Sequence, residues 1–188
     1  MDVFAFLLLQ IINGSNWNPE FGQSKNYKNW IAKLDLKTCI QCRIMHGKIW
    51  DINDSPEYEP QVHSFCRCEI KIMTTVKAGT ATIKGINGAD WTVKHKARLP
   101  DYYINLEQAL KNGWEPGKWF SNFAPDKMLT IGIYNNDNGH LPNLKGRIWY
   151  EADINYQRGK RNSQRILWSN DGLIFVTYDH YKTFFEIV

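Results

Sequence analysis

From Glu69 to Val188 the sequence has no cysteine; all four thiols of this 188-residue chain, Cys39, Cys42, Cys66 and Cys68, lie before that point. Cysteines confined to one segment indicate a local device there, a metal site or disulfides, and make the chain read as bipartite. Internal repeats are missing, and so are a Walker motif and a dinucleotide fingerprint. The longest apolar run, in "MDVFAFLLLQII", holds about ten residues, too few to span a bilayer. It also lacks the basic start of a secretory signal, because Asp2 follows Met1. It reads as a packed helix or strand end, and no membrane partner is expected. A large charge excess is absent too. A net charge of +4 suits an anionic partner without requiring one.

What is present is globular. Hydrophobic residues make up 43% and charged residues 22% of the chain, which excludes a disordered polymer. Aromatics reach 14%, with eight Trp, enough to build a core and to stack on bases.

The thiols come with a histidine. Cys39-x-x-Cys42 has the spacing of a zinc knuckle, and His63, Cys66 and Cys68 follow, one more ligand than a tetrahedral ion takes. Closing the intervening loop on a metal would hold together a segment too small to stabilise itself by burial. Two disulfides, or simply buried cysteines, are the competing readings. A bridge between Cys66 and Cys68 would be strained, so structural Zn2+, one site using four of the five residues, is preferred. Trp30, Asp35, Thr38-Cys39-x-x-Cys42, His46-Gly47-Lys48 and His63-x-x-Cys66-Arg67-Cys68 together resemble the carboxy-terminal region of phage minor head (head morphogenesis) proteins, over about 27–73. That resemblance implies zinc binding, a virion-associated setting and phage virion proteins as partners. The stretch "TTVKAGTATIKGING", rich in Thr, Gly and Ala, reads as a connector. The expected organisation is a module at 1–73, a linker at 74–87 and a second domain at 88–188.

In that second domain "GADWTVKHKARL" and "NLEQALKNG" have helical patterns, the latter with Asn105 as N-cap and Gly113 beyond its end. Then "MLTIGIY", "GRIWYEADINY", "QRILWS" and "LIFVTYDHY" read as strands separated by Asn/Gly/Asp turns. Helices followed by antiparallel strands predict an α+β domain, helices packed on a twisted antiparallel sheet and preceded by the zinc-knuckle module. "EADINY" alternates Glu151, Asp153 and Asn155 with Ala152, Ile154 and Tyr156, one polar face and one apolar face. Arg161 and Arg165 follow after a turn, and His180 lies near the end of the last long strand.

A meander can bring this acid, these two guanidinium groups and this imidazole to one surface. RNA cleavage without a metal needs that set: a base for the 2′-OH, an acid for the departing 5′ oxygen, and fixed positive charge for the phosphoryl oxygens. Glu151 is the expected base, His180 the acid, and Arg161 with Arg165 the clamp.

The blocks "LPDYYI", "GRIWYEADINY", "RNS-x-RIL" and "TYDHYKTF" closely resemble the guanyl-preferring bacterial ribonucleases of the barnase family, from about residue 88 to the end. The resemblance implies an α+β fold and metal-free endonucleolytic cleavage of single-stranded RNA by transesterification to a 2′,3′-cyclic phosphate. It assigns Glu151 as base, His180 as acid, Arg161 and Arg165 to the phosphate, and Tyr181, Asn135 and Asn136 to substrate binding. It further implies a barstar-like inhibitor protein and a secreted or phage-virion-associated toxin or effector. Four positions depart from the family. Leu106 stands where it has an active-site lysine, and Gly132 where it has the accompanying aspartate. Asp137 and Asn138 replace the usual Arg and Glu of the guanine loop, which puts base preference in question. The alternative is a non-catalytic RNA-binding or virion structural protein with a decayed nuclease domain.

Overall fold

The computed structural model describes residues 17–56, 59–156 and 158–188, so the apolar run at the amino terminus lies outside the described residues. Nine strands form one sheet: β1 Phe21–Ala32, β2 Ile49–Asp51, β3 Cys68–Val76, β4 Tyr103–Asn105, β5 Met128–Tyr134, β6 Trp149–Asp153, β7 Arg165–Ser169, β8 Ile174–Thr177 and β9 Phe185–Ile187. Their order is β2-β1-β3-β9-β8-β7-β6-β5-β4. Three helices are described, α1 Ile40–Met45, α2 Ala89–Lys96 and α3 Leu106–Lys111. The protein is dominated by its sheet, and among the described residues no helix is long and apolar enough to cross a membrane.

The four strands read from the sequence are present, but β6 and β8 are shorter than read, ending at Asp153 and Thr177. Five strands lie outside that reading, and three of them, β3, β4 and β9, correct the expected antiparallel sheet to a mixed one. β3 pairs with β9 and β4 with β5 in parallel, while β5 to β9 form an antiparallel meander. β4 and β9 are three residues each, too short to show a period. Both helical patterns fold as helices. α3 starts in a capping box: the Asn105 side chain accepts from Gln108 N at 2.8 Å and the Gln108 side chain accepts from Asn105 N at 3.0 Å. Such a cap is worth about 1 kcal/mol.

The strand alternation sorts the core. Ala152, Ile154, Ile166, Ile174 and Val176 cover one sheet face and pack with Ala89 and Val93 of α2. On the other face Trp149, Leu167, Phe175 and Phe184 pack with Tyr27, Ile49 and Met73, so this cluster draws on both halves of the sequence. The residues expected to connect the halves are hydrogen-bonded. Ala78 N donates to Val188 O, and Gly79 N and Ala81 N donate to the buried Asp90 carboxylate, which the Thr82 hydroxyl also reaches. Burial pushes the Asp90 carboxyl up, against the downward pull of these donors. Asp90 thus pins the connector to the start of α2.

Candidate active site

β6 lies between β5 and β7, with Glu151 opposite Gly132 and Leu167, and Asp153 opposite Arg165. Directly opposed residues share a face, so the carboxylates of Glu151 and Asp153 and the Arg165 guanidinium lie on the face away from α2. That answers why acids occupy a strand. They form the polar end of a face whose other end is the Trp149–Phe175 core.

Asp153 is 1% exposed and holds both arginines. Its carboxylate accepts from Arg161 Nε at 2.6 Å and Nη2 at 2.8 Å, and Arg165 Nε lies 3.1 Å away. Arg165 Nη1 donates to the carbonyls of Asn162 and Gln164, both at 2.7 Å. The Arg165 Nε–H is too poorly aligned on Asp153 to be a hydrogen bond and has no other acceptor. That Nε is itself buried against the carboxylate, so it belongs to the ion pair with Asp153. Burial works against the Arg161 charge, and the Asp153 carboxylate outweighs it, raising the guanidinium further.

Glu151 is buried, and its Oε2 accepts from the Tyr181 hydroxyl at 2.7 Å. Tyr181 stacks on Tyr134 with centroids 5.4 Å apart, and burial followed by the Glu151 charge raises its phenol. β8 ends at Thr177, and the chain then makes a tight turn in which His180 (φ 61°) and Tyr181 (φ 66°) are both left-handed. Asp179 closes the turn by accepting from the Thr177 hydroxyl, the Lys182 and Thr183 amides and the Thr183 hydroxyl. His180 N donates to Ser163 O at 3.2 Å, and the exposed imidazole edges Tyr181 at 4.8 Å. Leaving the strand reverses the parity that Ile174, Val176 and Tyr178 follow into the core, and this releases His180 to solvent.

Asp153 thus brings Arg161 and Arg165 together, Tyr181 is hydrogen-bonded to Glu151, and His180, next to Tyr181 in the turn, is tied to the 161–165 segment by its backbone bond to Ser163. Asn135 is exposed beyond β5. The Asn136 amide closes its own loop, donating to Leu141 O at 2.9 Å and accepting from Leu141 N at 3.0 Å, so it shapes the 136–141 loop. Leu106 lines a cleft of about 330 Å³ beside Arg161, with Trp114, Lys118 and Ile131. Gly132 has φ +91° at a β-bulge against β6, with open space where a side chain would go. A carboxylate could fit there, but its residue would be forced into a left-handed backbone. The sequence reading missed the role of Asp153 as the anchor of both arginines. Its place beside Glu151 on the polar face of "EADINY" was the signal. Tyr134 carried no signal, because only the fold puts it on Tyr181.

The thiols converge at the start of α1. Cys39 caps that helix, its Sγ accepting from Cys42 N. His63 Nε2 lies 3.2 Å from Cys39 Sγ and 3.4 Å from Cys42 Sγ, and Cys42 and Cys66 sulfurs are 3.8 Å apart. Zinc–thiolate bonds of about 2.3 Å at tetrahedral angles separate two sulfurs by roughly 3.8 Å, so this spacing fits the ion. His63 Nδ1 faces Ser64 O at 2.8 Å, which fixes the tautomer that leaves Nε2 free for a metal. Cys39, Cys42 and His63 form one ligand-like group and Cys42, Cys66 and Cys68 another, sharing Cys42. All four thiols are free. Burial would raise Cys66, but the amides of Cys68 and Gln61 pull it down to about 7. These groups can hold a metal ion.

A ribonuclease family model matches residues 66–188, and the chain belongs to the ribonuclease family. It is 44% identical over 109 residues to a ribonuclease of Heyndrickxia coagulans, covering 57% of this chain and 99% of that protein. Ribonucleases of Bacillus intermedius and Bacillus pumilus are also 44% identical over 109 residues, covering 57% of this chain and 67% of each relative.

Proposed function

We propose that this ribonuclease cleaves single-stranded RNA internally in a metal-free transesterification run by the β6 face and the turn after β8. Glu151 takes the proton of the 2′-OH, the 2′ oxygen bonds to phosphorus, and the bond from phosphorus to the 5′ oxygen breaks. His180 gives a proton to that leaving oxygen, and the product is a 2′,3′-cyclic phosphate. Arg165 and Arg161 carry the charge that develops on the phosphoryl oxygens. The observation that bears this reading is the Asp153 carboxylate holding both Arg161 and Arg165 on the strand face that carries Glu151, whose own carboxylate is hydrogen-bonded to Tyr181. Tyr181 sets the Glu151 carboxylate, and Asn135 with the Asn136 loop borders the base. Asn138 Oδ1 accepts from the Tyr134 hydroxyl at 3.4 Å and from His140 N at 3.1 Å, so an amide engaged within its own loop stands where the family has a glutamate, which supports relaxed guanine preference.

Residues 27–73 act as a structural module in which Zn2+ is held by His63 and three of Cys39, Cys42, Cys66 and Cys68. There the ion is a crosslink with no part in the chemistry. A barstar-like inhibitor protein fits the basic cleft, and the resemblance of the Cys/His segment to phage head proteins supports delivery as a secreted or virion-associated toxin. The test is cleavage of a fluorogenic RNA oligonucleotide with chelator present, with the product analysed for its cyclic terminus. RNA retained but uncut would replace this reading with a binding protein.

A further inference from the structure

We infer that the turn after α1 is a buttress for the catalytic turn, making Gly47 and His140 positioning residues for His180. This rests on His180 being the general acid. Gly47 has φ +87°, and a side chain there would have its Cβ 2.4 Å from the Lys182 carbonyl oxygen, so the two backbones touch where only glycine fits. Gly47 N donates to Trp30 O at 2.9 Å, and Ile49 N donates to His140 O at 2.9 Å, which ties the turn both to β1 and to the 136–141 loop. The His140 ring then spans the gap. Its Nδ1 lies 3.3 Å from Tyr181 O, its Nε2 lies 3.4 Å from Ile44 O, and its edge meets Phe184 with centroids 6.2 Å apart. The Lys182 carbonyl is thus met by Gly47, more than a hundred residues upstream, and the Tyr181 carbonyl by His140 of the 136–141 loop.

This contact matters because of how His180 is held. Two consecutive non-glycine residues in the left-handed region are costly, and surrounding structure has to maintain them. The His180 imidazole is exposed, so its backbone decides where it points. A shift of about 1 Å in a reacting group costs roughly 10²-fold in rate. Asp179 ties the inner side of the turn, and Gly47 with His140 blocks its outward movement.

The test uses two substrates: an RNA dinucleotide, whose 5′ alkoxide needs a proton, and a ribonucleoside 3′-aryl phosphate, whose aryloxide leaves without one. His180→Ala, the reference, should lose about 10²–10⁴-fold on RNA and little on the aryl ester. His140→Ala and Gly47→Ala should show the same selectivity at smaller size, about 10–10²-fold in kcat on RNA with KM kept. His140→Gln, which retains a donor, should recover part of the rate. Equal losses on both substrates, or none on RNA, overturn the inference. If Gly47→Ala does not fold, His140→Ala decides it, since it removes a ring without intruding on backbone. If His180→Ala itself loses equally on both substrates, the general-acid reading fails, and this inference with it.

Discussion

The polar face of β6 and the thiol cluster at the start of α1 are both groups of ligand-like side chains, but they are assembled differently. Glu151 and Asp153 are 6% and 1% exposed and stand on a strand paired on both sides, so sheet register places them. Asp153 and its two arginines then fix one another. In the cluster, Cys39 heads a six-residue helix, while His63 and Cys66 sit on a loop outside regular secondary structure. No covalent bond ties the sulfurs together. Sheet register therefore places the first group, whereas the second is a set of free thiols and a histidine that could be held together by an ion.

The largest break in this comparison should come from removing the proton-transfer groups while keeping the sheet. Glu151→Gln keeps size and burial but cannot accept the 2′-OH proton. His180→Ala removes an exposed ring. Each should lower single-turnover RNA cleavage by about 10²–10⁴-fold with melting temperature close to the parent. A variant cutting as fast as the parent would remove that residue from the mechanism.

Much of this site was legible because strands announce their faces. The alternation in "EADINY" places Glu151 on the polar side, and the Asn105 cap with its Gln108 partner marks the start of α3. What stayed hidden depends on contacts between distant segments. The pairing of β3 with β9 involves only Thr75 with Glu186 and Val76 with Ile187, too few residues for a pattern. The parity of Val176 and Tyr178 would bury His180, and only the Asp179 turn turns it outward. Asn136 looked like a base contact, yet both ends of its amide bond to Leu141.

Asp153 sharpens the claim that the fold places the first group. Removing it leaves two guanidinium groups, one of them 7% exposed, without their carboxylate. Breaking a buried ion pair in this way costs about 3–5 kcal/mol, because the remaining charge stays desolvated. Asp153→Ala should therefore lower the urea midpoint strongly, and cleavage should fall as Arg161 and Arg165 lose their common anchor. Unchanged stability would mean that the arginines find another partner.

For the second site, the expected result is about one zinc per chain, lost with Cys42→Ser because Cys42 belongs to both ligand groups. Chelation should increase amide exchange around 39–68 and leave β6 and β7 protected. RNA cleavage should persist at a rate reduced only as far as α1 loosens the Gly47 turn. Complete loss on chelation, restored by zinc, would make the metal catalytic and remove the distinction between the two sites.

The smallest effect concerns the seam between the regions, where two histidines are half-buried. Burial lowers His46, with Asp179 opposing and His140 adding to the shift, and burial lowers His140 against the pull of the Ile44 and Tyr181 carbonyls. The cationic Lys48 also disfavours charge on His140. A histidine whose folded pKa lies below its unfolded value of about 6.5 takes up its proton more readily in the unfolded chain. The unfolded state then binds more protons on acidification, so stability rises with pH through this window. Its contribution is complete above about pH 6.5 and is lost as pH falls toward the folded values. The parent should therefore lose melting temperature between pH 7 and pH 5, and His140→Gln together with His46→Gln should flatten that slope. Glutamine carries no titrating group, so any slope left in the double variant belongs to the carboxylates. An unchanged slope would mean that the two rings bind protons equally well in the folded and unfolded chains and carry none of the dependence.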